Sequence, residues 1–193
     1  MRIETAGIPS HFLLEYAAVP IAFEVTSVLS AERGSDGSFL LRECPLESPY
    51  LKDYDTIGDR PPDWAARYDT SQWVLLMARA EGRCLGGTAV AFGPPGLDVL
   101  EGRRDLAVLW DIRVAPASRG RGVGRALFEA VEARALALGC RELKVETQNT
   151  NVGACRFYAA MGCELRAVRD HAHPQCPGEA QLLWYKALSP RPA

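Results

Sequence analysis

Residues 109–127, Leu-Trp-Asp-Ile-Arg-Val-Ala-Pro-Ala-Ser-Arg-Gly-Arg-Gly-Val-Gly-Arg-Ala-Leu, constrain this chain more than any other stretch. The apolar run ending at Val114 reads as a buried strand. Pro116 interrupts it, and the helix that follows opens with Gly120, Gly122 and Gly124 among Arg119, Arg121 and Arg125. Main-chain N–H groups at a helix start have no partner within the helix, and the helix dipole adds positive potential there, so an anion is the natural occupant. Glycine lets the main chain approach that anion and take backbone angles closed to other residues. The stretch therefore predicts a strand–turn–helix unit that grips a phosphate group.

Two familiar phosphate loops do not fit. A P-loop needs a Lys-Ser/Thr pair after its glycines, and Arg125-Ala126 supplies neither the lysine nor the hydroxyl. A dinucleotide fingerprint needs G-x-G-x-x-G after a first strand, whereas Gly120, Gly122 and Gly124 are spaced G-x-G-x-G past the middle of the chain.

Around this unit the pattern predicts a strand over residues 21–29, a turn carrying Gly34, Asp36 and Gly37, and a strand over 39–46. Residues 1–20 are a loosely specified lead-in with a short helix over 10–18. Residues 47–72 lose periodicity and hold Trp64 and several tyrosines, which either face a ligand or cover the core. Apolar runs over 73–80 and 84–92 form a hairpin about Glu81-Gly82-Arg83. The helix after the glycine turn places Val123, Leu127, Ala130, Val131, Ala135 and Leu138 on one face and ends at Gly139. A strand over 142–148, a helix over 152–161 capped by Asn149-Thr150-Asn151, and strands over 163–168 and 181–188 complete the chain. Hairpins before βα units predict an α/β (α+β) fold with a mixed central sheet and helices on both faces.

At 193 residues the chain suits one domain. A formal net charge of −2 argues against nucleic acid as a partner. No secretory signal or long uncharged apolar run is expected, so no membrane association follows and the cytoplasm is the expected compartment. The six cysteines lack C-x-x-C spacing and read as free thiols. His171, His173 and Cys176 offer three ligands with no second cluster, so no metal is expected.

Arg119-x-x-Gly122-x-Gly124 resembles the R/Q-x-x-G-x-G/A signature of the GNAT superfamily of N-acetyltransferases. Within it, Glu146-Thr147-Gln148-Asn149-Thr150-Asn151 with Ala154, Phe157 and Tyr158 resembles the E-T-Q-x-x-N-x-x-A-x-x-F-Y stretch of the streptothricin acetyltransferase family. Glu179 with Trp184-Tyr185 resembles that family's closing strand, and Tyr50-Leu51-Lys52 matches too. The resemblance covers residues 106–188. It implies the GNAT acyl-CoA N-acyltransferase fold, acetyl-CoA as co-substrate, and transfer of acetyl to a primary amine of a small molecule such as a streptothricin-like antibiotic. A protein N-terminus or lysine as acceptor, and an acyl-CoA sensor without turnover, are the alternatives. Homodimers are common among such proteins, and a homodimer is compatible with the resemblance.

The same resemblance implies roles for individual residues. Acetyl-CoA is expected where two parallel strands splay apart, with the main chain of Ile112, Arg113 and Val114 on the pantetheine arm and helping to polarise the acetyl carbonyl. Arg119, Gly120, Arg121, Gly122, Val123, Gly124 and Arg125 are expected on the pyrophosphate, and Asn151 on the pantetheine. Tyr158, seven residues or almost two helical turns after Asn151, is the candidate acid for the leaving thiolate. Related enzymes often carry Glu-Asp where this chain has Trp110-Asp111, so a glutamate base is missing. Asp111, Glu146, Gln148 and Glu179 are the candidates for holding the amine, with Asp111 or Glu146 in a catalytic role. Asp111 has a second reading, as the structural partner of a backbone N–H.

Overall fold

The computed structural model describes residues 1–8, 11–57, 59–93, 97–170, 172, 176 and 178–189. Among the described residues nine strands and four α-helices are formed. The strands are β1 (Arg2–Gly7), β2 (Phe23–Arg33), β3 (Phe39–Lys52), β4 (Val74–Ala80), β5 (Arg83–Ala91), β6 (Leu106–Val114), β7 (Glu142–Gln148), β8 (Glu164–Asp170) and β9 (Ala180–Ala187). The helices are α1 (Phe12–Ala17), α2 (Trp64–Arg67), α3 (Val123–Ala137) and α4 (Val152–Ala160). The mixed seven-stranded sheet runs β1-β4-β5-β6-β7-β9-β8, and β2 and β3 form a separate two-stranded sheet. The chain divides into two compact units: Met1–Ile21 with Tyr54–Leu143 and Ala187–Ala193, and Ala22–Asp53 with Lys144–Lys186.

In the first unit β1, β4, β5 and β6 pair antiparallel in that order. β4 and β5 are the expected hairpin, and its turn takes positive φ at Glu81 and Gly82, the twist that suits a two-residue connection. β1 falls in the stretch expected as a loosely specified lead-in, where no strand was expected. Its half-exposed residues carry no apolar run, and its conformation comes from pairing with β4, Arg2 opposite Arg79 through Gly7 opposite Val74. Tyr16, Trp64, Trp73, Leu75 and Met77 form the centre of the core here, each at most 2% exposed. The aromatic-rich segment thus covers the core at Trp64. Two glycines of β5 permit close packing. A Cβ on Gly87 would lie 2.8 Å from both the Tyr16 ring and Met77 Sδ, and one on Gly86 would lie 2.3 Å from the Arg113 carbonyl oxygen. Gly86→Ala is therefore expected to push β6 off β5 and cost about 1–3 kcal/mol, read from urea unfolding. Wild-type stability in that variant would contradict the packing.

α3 buries Val123, Leu127, Phe128, Val131 and Ala135. Leu138, expected on this face, is 45% exposed because the helix has already ended. It sits at the C-cap, and Gly139 follows in the left-handed conformation expected of it.

In the second unit β2 and β3 form a long antiparallel ribbon, and β3 runs on to Lys52, beyond the strand expected over 39–46. Pro45 and Pro49 disguise this extension. A two-stranded ribbon leaves each strand one unpaired edge, where proline removes no ladder bond. The register shift between Val25 and Ser27 absorbs the residues between Pro45 and Tyr50. α4 begins as expected: the Asn151 side chain accepts the Ala154 N–H at 3.1 Å. β8 and β9 pair antiparallel.

Candidate active site

The glycine turn lies in the first unit. β6 ends at Val114, residues 116–118 make one 3₁₀ turn, and α3 starts at Val123. Gly120 and Gly122 both take left-handed backbone, φ +71° and +82°, which presents successive amides to one side. The first backbone bond closing α3 runs from the Ala126 N–H to the Gly122 carbonyl. Among the described residues none accepts a hydrogen bond from the main-chain N–H of residues 120–125. The exposed guanidinium groups of Arg121 and Arg125 likewise meet no acceptor among the described residues. A Cβ added at Gly120 or Gly122 would point into open space. The turn is a cradle of donors and positive charge.

Arg119, expected on the anion, also meets main-chain groups of its own unit. Its Nε donates to the Val114 carbonyl at 3.1 Å and one Nη to the Pro20 carbonyl at 3.4 Å. The side chain folds back and braces the end of β6, and in doing so it occupies the Val114 oxygen.

β6 also carries a bulge. Ala89 of β5 faces Asp111 and Val90 faces Leu109, so Trp110 is the extra residue. Its ring packs against Trp73 and Tyr68, with centroids 4.7 and 4.9 Å away. Beyond the bulge lies an ionic network. The Arg113 guanidinium, 1% exposed, donates to both oxygens of Asp55 at 2.9 Å and to Asp111 at 3.0–3.2 Å. The Tyr16 hydroxyl donates to the same Asp111 carboxylate, and burial, with the charge of Asp111 adding to it, raises the phenol well above its ordinary pKa. The partners of the Asp111 carboxylate are thus a guanidinium and a phenol, where the sequence left a backbone N–H as one option. Asp55 entered the sequence reading only as one residue of the irregular 47–72 stretch, and Tyr16 was not picked out. They lie 58 and 95 residues from their partners, and no local pattern marks them.

Asp59 stands near this network. Tyr68 donates a hydroxyl to it at 3.4 Å, and Arg67 approaches at 3.5 Å. Burial holds its carboxyl above the usual range, with Asp111 adding to the effect and Arg67 and Tyr68 opposing it. Such a raised acid is neutral in both folded and unfolded states at low pH. As pH rises past the unfolded value near 4, the folded state resists ionisation, so stability is lost until pH passes the folded value. Asp59→Asn should therefore match wild type below about pH 4 and equal or exceed it at neutral pH in urea unfolding. A variant clearly weaker at neutral pH would contradict this. The exposed pair with Arg67 contributes little to the balance.

The second unit holds the remaining candidates. Glu146 and Gln148 lie two apart on β7 and so share one face of that strand. Tyr158 is on α4, 4% exposed, its ring edge-on to Phe157. Asn151 is half-buried at the start of the same helix, and its cap uses only the side-chain oxygen. Glu179 is ion-paired with Lys52, the two side chains 12% and 6% exposed, and Cys176 Sγ lies 3.7 Å from the same ammonium. The carboxylate expected to meet the amine thus has Lys52 as a counter-ion. Asn149, read from sequence only as part of a turn, ties three segments together. Its amide donates to the Leu29 carbonyl at 3.0 Å, its side-chain oxygen accepts the Ala180 N–H at 3.0 Å, and its own N–H reaches the Ala180 carbonyl. Cys155 is buried and its thiol is pushed up to about 12, which leaves it protonated and inert. His171 and His173 lie outside the described residues; among those described no group of His, Cys, Asp or Glu is arranged to hold a metal ion. No helix among the described residues is long and apolar enough to cross a membrane.

A bulged strand feeding a turn whose amides and two guanidinium groups meet no acceptor among the described residues defines a candidate anion-binding protein. Comparison with known proteins gives the class its family. The family model described as Acetyltransferase (GNAT) family matches residues 40–163. Streptothricin acetyltransferase of Streptomyces lavendulae is 30% identical over 142 residues, covering 73% of this chain and 70% of that protein. The crystal structure of nourseothricin acetyltransferase is 26% identical with a TM-score of 0.74, covering 97% and 98% of the two chains. A 17% identical structure, described as a streptothricin acetyltransferase of Bacillus anthracis in complex with acetyl coenzyme A, shares the fold at a TM-score of 0.76, covering 96% and 99%. The chain belongs to the GNAT family and is an acetyl-CoA-dependent N-acetyltransferase, with acetyl-CoA as its co-substrate.

Proposed function

We propose that the chain acetylates a primary amine of a small molecule of the streptothricin kind, by direct attack of the amine on bound acetyl-CoA. The observation that carries the cofactor half of this reading is the set of unoccupied amides over residues 120–125, flanked by Arg121 and Arg125. The acceptor half rests on likeness to proteins named for streptothricin and nourseothricin. Acetyl-CoA supplies an activated thioester. The amides of the turn with Arg121 and Arg125 hold its diphosphate, and the main chain over residues 112–114 bonds the pantetheine and polarises the carbonyl. Asn151 keeps its side-chain amide N–H groups available for the pantetheine while its oxygen caps α4. Asp111, held in place by Arg113 and Tyr16, orients the incoming amine, and Glu146 with Gln148 binds it. Glu146 passes one proton of the ammonium to water. The nitrogen–carbon bond forms and the carbon–sulfur bond breaks; Tyr158 gives its proton to the leaving thiolate, and the second proton of the attacking nitrogen returns to Tyr158 through water, which leaves the amide and restores the phenol.

The test is release of free thiol from acetyl-CoA with a panel that includes streptothricin, simple polyamines and lysine-bearing peptides, the product checked by mass. Acetylated streptothricin as the preferred product is expected. Preference for a peptide would overturn the small-molecule reading, and acetyl-CoA binding without thiol release for any amine would overturn turnover itself.

A further inference from the structure

The first unit contains a cavity of about 420 Å³ that none of the roles above uses. It lies at the other end of α3 from the glycine turn. Arg134, which lines it, sits twelve residues beyond Gly122, about 18 Å along the helix. The volume falls in the range of small-ligand sites.

Its wall is chemically one-sided. Val74, Phe92 and Leu138 give an apolar surface, Ser71 and Gln72 add neutral polar groups, and Arg104 and Arg134 bring two guanidinium groups. Among the described residues no lining residue is acidic, although the chain carries 24 aspartates and glutamates. Neither guanidinium group has a hydrogen bond or ion pair among the described residues. Nearby Arg103 shows the contrast, since it is paired with both Asp105 and Glu142. The position of Arg134 in the last turn of α3 suits the helix dipole, which accounts for that residue alone. Arg104 follows β5 and precedes β6 on another segment, and no helix end explains it.

The side chain of Gln72 lies beside Gly93, which has φ +92° and where an added Cβ would stand 2.7 Å from Gln72 Cγ.

Two like charges brought to one concave, partly apolar wall repel each other, and such a cleft concentrates ions of opposite sign. Planar guanidinium groups match carboxylate and phosphate oxygens in pairs. We infer that this cavity is a second ligand site, for a small organic anion with an oxyanion head, carboxylate or phosphate, and a short apolar body. The site is independent of acetyl transfer, so it stands whether or not the acceptor reading above is right.

The experiment is calorimetric titration of the full chain, kept in saturating acetyl-CoA so that the glycine turn is engaged, with inorganic phosphate and separately with succinate. Binding of one or both at a single site is expected, with affinity at least about tenfold weaker in Arg104→Ala and in Arg134→Ala, the loss of one charge-assisted contact. Phosphate alone would identify the head as phosphate, and succinate alone as carboxylate. Both arginines are exposed, so the variants should fold and keep wild-type thiol release with any active amine. Absence of binding by both probes, or binding that persists unchanged in both variants, would overturn the site.

Discussion

Gly122→Val is expected to raise the Kd for acetyl-CoA by about 10²–10⁴-fold, the loss of two charge-assisted amide contacts at about 1.5–3 kcal/mol each. Gly122 holds φ +82°, a conformation that a β-branched residue adopts only under strain, so the turn must rearrange. Nothing in the protein lies within 4 Å of where the new Cβ would start, so the side chain would project into the space that the free amides face. The defect should therefore appear in cofactor binding more than in folding. Titration with acetyl-CoA alongside urea unfolding separates the two. Wild-type affinity in this variant would remove the turn from the cofactor site.

Tyr158→Phe should behave in the opposite way. Phenylalanine keeps the ring that is 4% exposed on α4 and packed edge-on to Phe157, so the fold and acetyl-CoA affinity should hold. Loss of the hydroxyl removes the proposed acid, and kcat should fall by about 10²–10⁴-fold. Equal loss in acetyl-CoA affinity would instead make the hydroxyl a binding group. Unchanged kcat would leave the thiolate to another proton donor.

The parts of this protein legible in its residues are those that local chemistry dictates. Left-handed backbone at Gly120 and Gly122, the Asn151 cap and the Gly139 stop each depend on a few consecutive residues, and each was expected in place. α1, α3, α4 and the β4–β5 hairpin follow in the same way from periodicity and turn chemistry, whereas α2 falls in the stretch read as irregular. β1 was missed because an edge strand is half-exposed, and its six residues become a strand only when β4 is beside them. The extension of β3 was missed because proline signals a break wherever strands are paired on both sides, and this ribbon is not.

The candidate site divides along the same line. Its donors at the glycine turn could be read directly, since they are main-chain groups whose exposure follows from helix geometry. The surroundings of Asp111 could not, because a carboxylate's role depends on its neighbours, and Asp55 and Tyr16 come from segments far away in the chain. Arg119 is expected on the anion from its motif position, and its contact with the Val114 carbonyl is one that only folding supplies. Glu179 likewise has a charge that any sequence shows and a counter-ion, Lys52, that only folding supplies. By itself, then, the sequence determined where backbone would present bare amides and which family's chemistry they serve. The tertiary structure alone decided which charged side chains are already neutralised, because pairing depends on distance in space and a chain order does not contain it.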